Sequence, residues 1–434
     1  MAYLSAARKG ATIFGGLYAA AILAVMIPYI QTQCVQIYLL NNTRPHPTLV
    51  LWYALRDLVP LNQLVLVLQF LHALKIPLFS DYNTPEKYGL APNKTANLKI
   101  STADGELLGA WFILADQFYH SLPSHSAPPV EHVGAALKAR PTVLFFHGNA
   151  GTRAFGARIQ HYTTFSSRLS ANVLAIDYRG YGDSTGTPSE VGLARDARAA
   201  WNWLIDNGAL ASDILIVGHS LGTGVSSLLS AELSDEEIAP KGVVLLSPFS
   251  SISKVVETYS MLGIFPLIRP LASIPRATEF LMKRLIHKFD TDKLVPRMKG
   301  QIIIAHAGEC GSRHPGTGSQ DRPTENDWDI PYTHSEALFT AFLDPHLPQM
   351  IALPPHLASL SQEQWSEFTS RAAERREARE ALVSTTEIPK FGTLHKFNDG
   401  KRTVTHVQTL HGGHDYVGIQ EGVSDIIGQT FGFF

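Results

Sequence analysis

The chain has 434 residues, with 36 Lys and Arg against 38 Asp and Glu, a formal charge of −2. That length accommodates one large core with appended segments, and the balanced charge argues against a nucleic-acid partner. Two cysteines, Cys34 and Cys310, make neither a disulfide framework nor a metal site.

Residues 11 to 30, "ATIFGGLYAAAILAVMIPYI", carry no charge and are long enough to span a hydrocarbon core. A cleaved signal peptide is the alternative, but the run exceeds a usual h-region and lacks a small-x-small cleavage site. The expectation is a single-pass transmembrane anchor over 11–31 after a short cytosolic N-terminus, 1–10. Arg8 and Lys9 precede the run and Arg44 is the next positive charge, which places the N-terminus in the cytosol and the rest beyond the membrane. Two sequons, Asn41-Asn42-Thr43 and Asn93-Lys94-Thr95, are compatible with that side. A linker and helices follow over 32–96, including "LNQLVLVLQFLHAL", which reads equally as an interfacial or a core helix.

From residue 97 to 434 strands alternate with helices. "LKISTADGELLGAWFIL" predicts a hairpin turning at Asp104-Gly105. "TVLFFHGN", "NVLAIDYRG", "DILIVGHS", "GVVLLSPF" and "GQIIIAHAG" are short apolar runs separated by helical stretches. That pattern predicts an α/β fold with a buried, mostly parallel sheet. An apolar, Pro-containing segment at about 251–297 reads as a cap over the C-terminal edge of the sheet, where ligands bind in such folds. Two insertions follow: a Gly, Ser and Pro-rich loop at 308–326, and 353–392, which contains a charged helix opened by a capping box of Ser361 and Gln364.

The stretch "ILIVGHSLGTGVSSLL" holds Gly-x-Ser-x-Gly between a strand and a helix. This is the pattern of a nucleophile elbow, a strained turn that exposes the hydroxyl of Ser220 and aims helix N–H groups at the reacting centre. A serine needs a base, the base needs an orienting acid, and acyl transfer needs oxyanion donors. For the donors the reading takes the backbone N–H of Leu221 and of Asn149, with Ala150 as the alternative. His414, flanked by Gly412 and Gly413 after the last strand, is the expected base; His147, which precedes the nucleophile, reads as a structural histidine. Glu309, Asp327 and Asp329 follow the strand that offers the acid. Asp177 and Asp183 read as loop-forming carboxylates. The order Ser, acid, His along the chain is that of the α/β-hydrolase triad, and neither metal nor organic cofactor is required.

"HGNAGTR", "DYRGYGDSTGTPSE", "GHSLGTG", "SPF", "GGHDYV" and the earlier "FLHALKIPLFSDYNTPEKYGL" resemble the membrane-anchored α/β-hydrolase-domain lipases over roughly 65–305 and 326–434. In that family the acid lies in Asp-x-x-Val-Pro; "DWDIP" matches it with Asp327, although the 308–326 insertion precedes it. The resemblance implies a single-pass endoplasmic-reticulum enzyme with a lumenal catalytic domain. Its implied substrates are monoacylglycerols and lysophospholipids such as lysophosphatidylserine. A protein palmitoyl thioesterase and a non-catalytic membrane scaffold are the alternative readings.

Overall fold

Runs of four to eight apolar residues are too short for helices and become the strands of one sheet. In the computed structural model the chain divides into two units, Met1–Ala73 and Leu74–Phe434. The described residues are 70–72, 75–123, 128–258, 260–261, 265–266, 287–308, 327, 329–350 and 361–434. Among them no helix is long and apolar enough to cross a membrane. The segment 11–31, read as an anchor, lies outside the described residues, as do Cys34, Glu309, Cys310 and most of the 308–326 loop.

In the second unit the strands are β1 (Thr95–Ser101), β2 (Leu107–Ile113), β3 (Thr142–Phe146), β4 (Asn172–Ile176), β5 (Ile214–His219), β6 (Gly242–Leu246) and β7 (Gly300–Ala307), followed by β8 (Val383–Ile388), β9 (Gly392–Asn398) and β10 (Arg402–Thr409). They form a ten-stranded sheet in the order β1-β2-β4-β3-β5-β6-β7-β10-β9-β8. The six strands from β4 to β10 in that order are mutually parallel. Antiparallel strands flank them on both sides. The β1–β2 hairpin closes as Thr102 and Glu106 pair around Gly105, whose φ of 90° is a conformation that favours glycine.

Every residue of β3, β4, β5 and β6 is buried, which explains why these strands read as continuous apolar runs rather than alternating ones. Alternate residues Val143 and Phe145 of β3, Leu215 and Val217 of β5, and Ile303 and Ala305 of β7 share a core with helices α1 (Gly156–Arg168) and α6 (Glu421–Phe431). Burying a side chain such as Phe165 or Ile427 there contributes about 1.5–3 kcal/mol. Helices α2 (Glu190–Asp206) and α3 (Leu221–Asp235) pack together against β3 and β5 without joining that cluster, and so cover the other face. Helix α4 is Thr333–Leu343.

The segment read as a cap is described only at its borders. Residues Ile252–Thr258 are helical, Ser260–Met261 pairs with Phe265–Pro266, and the chain returns through Phe289, buried against Phe249. In the second insertion, Ser361 and Gln364 form the expected capping box on α5 (Gln362–Leu382), a helix with no buried residue. The insertion then supplies β8 and the start of β9, strands that the sequence reading did not find.

The junction of β5 with α3 is a tight corner between main chains. A Cβ on Gly222 would stand 2.0 Å from the carbonyl oxygen of Phe146, and one on Gly218 would stand 2.3 Å from the carbonyl oxygen of Gly222. Both obstacles are main chain and cannot move aside as a flexible side chain would. Replacing Gly222 with Ala is therefore expected to destabilise the unit by about 3 kcal/mol, measured as a lower urea midpoint; an unchanged midpoint would refute this close approach.

Candidate active site

Ser220 occupies the corner with φ 52° and ψ −119°, a strained conformation for a non-glycine residue. Its N–H donates to the carbonyl of Leu246 at the end of β6, and its carbonyl accepts from Thr223 in the first turn of α3. The strain is thus held from both sides, with Ser220 standing ahead of Leu221 at the N-terminus of a fifteen-residue helix. The first N–H groups of that helix lack intrahelical acceptors and favour negative charge.

The loop after β3 lies against this corner, since a Cβ on Gly148 would come within 3.2 Å of the Cβ of Ser220. The buried Arg158 gathers the loop's carbonyls, donating to Gly148 at 2.9 Å and to Ala150. Because a trans peptide points its N–H opposite its carbonyl, the N–H of Asn149 faces away from Arg158. The Asn149 side chain accepts from Tyr181 at 2.7 Å and from the N–H of Ala150 at 3.1 Å. The Ala150 N–H is thus engaged within its own loop.

His147 is buried, donates from Nδ1 to the Gly148 carbonyl at 2.7 Å and lies 4.4 Å from the Tyr178 ring, centroid to centroid. Burial pushes its pKa down to about 4. Its place is inside the loop. Asp177 and Asp183 meet at Arg153, whose Nη1 contacts Asp177 at 2.5 Å and Asp183 at 2.6 Å. Burial alone would raise the Asp177 pKa, but the Arg153 guanidinium overrides it and holds the carboxyl at about 2.

In the turn after β10, the ring of His414 meets Asp327. Nδ1 lies 2.9 Å from Oδ2 and 3.1 Å from Oδ1. Burial works against an imidazolium here, yet the carboxylate of Asp327 outweighs it and raises His414 to about 9. Asp327 accepts three further bonds: from His306 Nε2 at 3.0 Å, and from the N–H groups of Asp329 and Ile330 at 3.1 and 2.8 Å. Burial would push its pKa up, and the two histidines hold it well below the ordinary carboxylate value. Asp329 contributes its main chain to Asp327; burial raises its own carboxyl pKa. The geometry therefore brings together His414 and Asp327, not Asp329. His411 binds through its carbonyl to Thr409 and Gln420.

Sequence reasoning missed His306, Arg158 and the two groups that reach the His414 main chain, His219 and Ser247. A histidine near the end of the otherwise apolar "GQIIIAHAG" was a readable signal for the first, since a buried polar side chain in a parallel strand requires a partner. Its Nε2 faces two acceptors, Asp327 and the Ile330 carbonyl. The proton therefore sits on Nε2.

A parallel sheet flanked by helices, a serine on a glycine-walled strand-to-helix corner, and a histidine after the last strand that is bound to a carboxylate after β7 define an α/β hydrolase. The alpha/beta hydrolase family model matches residues 143–414, and the chain belongs to that family. Lysophosphatidylserine lipase ABHD12 of Rattus norvegicus is 33% identical over 241 residues, which cover 55% of this chain and 58% of that protein. Protein ABHD12B of Homo sapiens is 26% identical over 305 residues, covering 67% of this chain and 74% of that one. An α/β hydrolase structure from Vibrio vulnificus aligns with a TM-score of 0.49 at 16% identity, covering 86% of this chain and 91% of that one. The chain thus spans little more than half the length of the first of these relatives.

Removing Arg153 would strand Asp177 as a buried, uncompensated charge. Arg153→Leu is expected to cost about 3–5 kcal/mol, read from urea unfolding, whereas Lys99→Ala, which removes an exposed partner of Asp183, is expected to cost less than about 1 kcal/mol. Equal losses in the two variants would overturn the reading of Arg153 as the support of this loop.

Proposed function

We propose that the chain is a membrane-anchored serine hydrolase that cleaves carboxylic esters of lipids, monoacylglycerols and lysophospholipids such as lysophosphatidylserine. The observation that carries the mechanism is the Asp327–His414 pair at 2.9 Å on the same side of the sheet edge as the strained Ser220. In this reading His414 takes the proton of Ser220 as the hydroxyl attacks the ester carbonyl. Asp327 keeps the proton on Nδ1 and stabilises the imidazolium, and the N–H groups of Leu221 and Asn149 receive the oxyanion. The alcohol leaves with the proton from His414, and water, activated by the same imidazole, releases the fatty acid from Ser220. These steps need no metal or cofactor.

The lipid substrate is supported by the relatives named lysophosphatidylserine lipases and by the apolar composition of the segment 251–297. The uncharged run at 11–31 would hold the enzyme in the endoplasmic-reticulum membrane, with the hydrolase domain, 97–434, in the lumen. Lumenal placement predicts an endoglycosidase-sensitive glycan at Asn41 or Asn93. A chain that stays unmodified at both while facing the cytosol in protease protection would reverse the topology.

The enzymatic test is a panel in detergent: a monoacylglycerol, lysophosphatidylserine, lysophosphatidylcholine and a palmitoyl thioester. Ser220→Ala should lower kcat by about 10⁶-fold and Asp327→Asn by about 10⁴-fold. The neutral imidazole is the working base, so kcat/KM is expected to rise with pH and level off above about 9, the value to which Asp327 raises His414. Turnover of the thioester alone would replace the lipase reading with a thioesterase, and silence across the panel would favour a scaffold.

A further inference from the structure

The main-chain carbonyl of His414 accepts two hydrogen bonds from side chains outside its own loop: His219 Nε2 at 2.9 Å and Ser247 Oγ at 3.0 Å. We propose that His219 and Ser247 are positioning residues that fix the separation between the nucleophile and the base by clamping the His414 carbonyl to the tips of β5 and β6. The inference rests on the reading of Ser220 and His414 as nucleophile and base, and it concerns residues that read from the sequence only as parts of the elbow and of "SPF".

The loop needs such a clamp. His414 follows Gly412 and Gly413, with φ of 128° and 57°, and begins in a helical turn of only four residues. Glycines in that region leave many backbone paths open, and one bond from the ring to Asp327 restrains the ring without fixing where its main chain sits. The carbonyl of His411, three residues earlier, is held by Thr409 Oγ1 at 2.6 Å and Gln420 Nε2 at 2.7 Å. Those two groups come from β10 and from the residue before α6, so they set the loop against its own neighbours. His219 instead ends the strand that bears Ser220, and Ser247 follows the strand whose Leu246 carbonyl holds the Ser220 N–H.

His219 is joined covalently to Ser220. Its side chain therefore acts as a one-residue lever, with the nucleophile at its main chain and the base loop at its ring tip. A carbonyl can only accept, so Nε2 carries the proton. Burial, and then the positive charge of His414, hold His219 well below the ordinary imidazole pKa, so it stays a neutral donor. Its ring lies between those of His161 and His414, at 5.6 and 5.0 Å between centroids. Ser247 is fully buried and sits at φ 47°, a left-handed conformation that serine rarely adopts. Its N–H is fixed on the Ala305 carbonyl at 2.8 Å, and its hydroxyl is directed to His414.

The test compares His219→Phe, His219→Asn and Ser247→Ala with the native chain, using kcat and KM for a monoacylglycerol from about pH 6 to about pH 10 and the rate of fluorophosphonate labelling. His219→Phe and Ser247→Ala are each expected to lower kcat about ten- to a hundred-fold with KM within about two-fold. Both should also move the acid limb of kcat/KM to lower pH, because a ring that wanders from Asp327 loses the charge that raised it. Asp329 and Asp415, which also face His414, remain in every variant and do not account for such a shift. His219→Asn, which keeps a donor, should recover part of kcat. Cooperative thermal melting identifies folded variants; if His219→Phe fails it, Ser247→Ala, which changes little volume, carries the test. Unchanged kcat and an unmoved limb in the folded variants would overturn the proposal while leaving Ser220-dependent turnover intact. Turnover that survives Ser220→Ala would remove the triad reading and this proposal with it.

Discussion

A strand that turns directly into a helix brings two main chains closer than a Cβ permits, and this unit is organised around one such approach. The carbonyl oxygen of Phe146 occupies the space that a Cβ on Gly222 would take, and the carbonyl of Gly222 blocks the same atom on Gly218. The consequence is positional. Ser220, forced to φ 52°, stands at the end of β5 beside the loop after β3 and beside the tip of β6, where its N–H is fixed on Leu246. Each further part of the candidate site is arranged relative to that corner: Gly148 touches it, Arg158 turns the carbonyls of the loop after β3 away from it, and His219 reaches from it to the His414 carbonyl.

Two buried aspartates show how the partner, rather than the burial, sets the role of a carboxylate. Asp177 and Asp327 are both nearly inaccessible and both held in the ionised form by cations or donors. Asp177 is paired with Arg153, whose guanidinium does not give up its proton at any ordinary pH, so the pair is inert and serves as a support. Asp327 is paired with His414, an imidazole, so the same electrostatic attraction alters the proton affinity of a group that can exchange protons. His306 and two main-chain N–H groups occupy the remaining acceptor sites of Asp327. An aspartate so fully engaged keeps its charge while the neighbouring ring gains and loses one.

The parallel strands and the elbow were legible because their signals are local: five apolar runs, and two glycines around a serine. The choice between Asp327 and Asp329 was not local. The two residues lie two positions apart, a family resemblance favours Asp327, and in the structure the approach of His414, 87 residues later, separates them. The same holds for His219 and Ser247, whose partner, the His414 carbonyl, lies far along the chain. Strands β8 and β9 escaped for a different reason. "VSTTEI" is exposed at nearly every position, so it carries neither the continuous apolar run of a buried strand nor the alternation of a half-buried one.

That exposure also indicates how the insertion between α4 and β10 is tolerated. Helix α5 buries none of its residues and is kept in place by polar contacts: its capping box, and pairs from Arg375 and Arg379 to Asp344 and Glu336 near α4. Surface pairs of this kind contribute little individually, so the helix adds little to the core and takes little from it. The connection to the sheet is stronger, because β9 pairs with β10 over seven residues in antiparallel register. β10 pairs in parallel with β7 over its whole length, and these two central strands lead to His414 and Asp327 respectively. A segment entering at the outer edge of β10 therefore lengthens the sheet on the side away from β6 and the elbow, and the strands that lead to His414 and Asp327 remain neighbours.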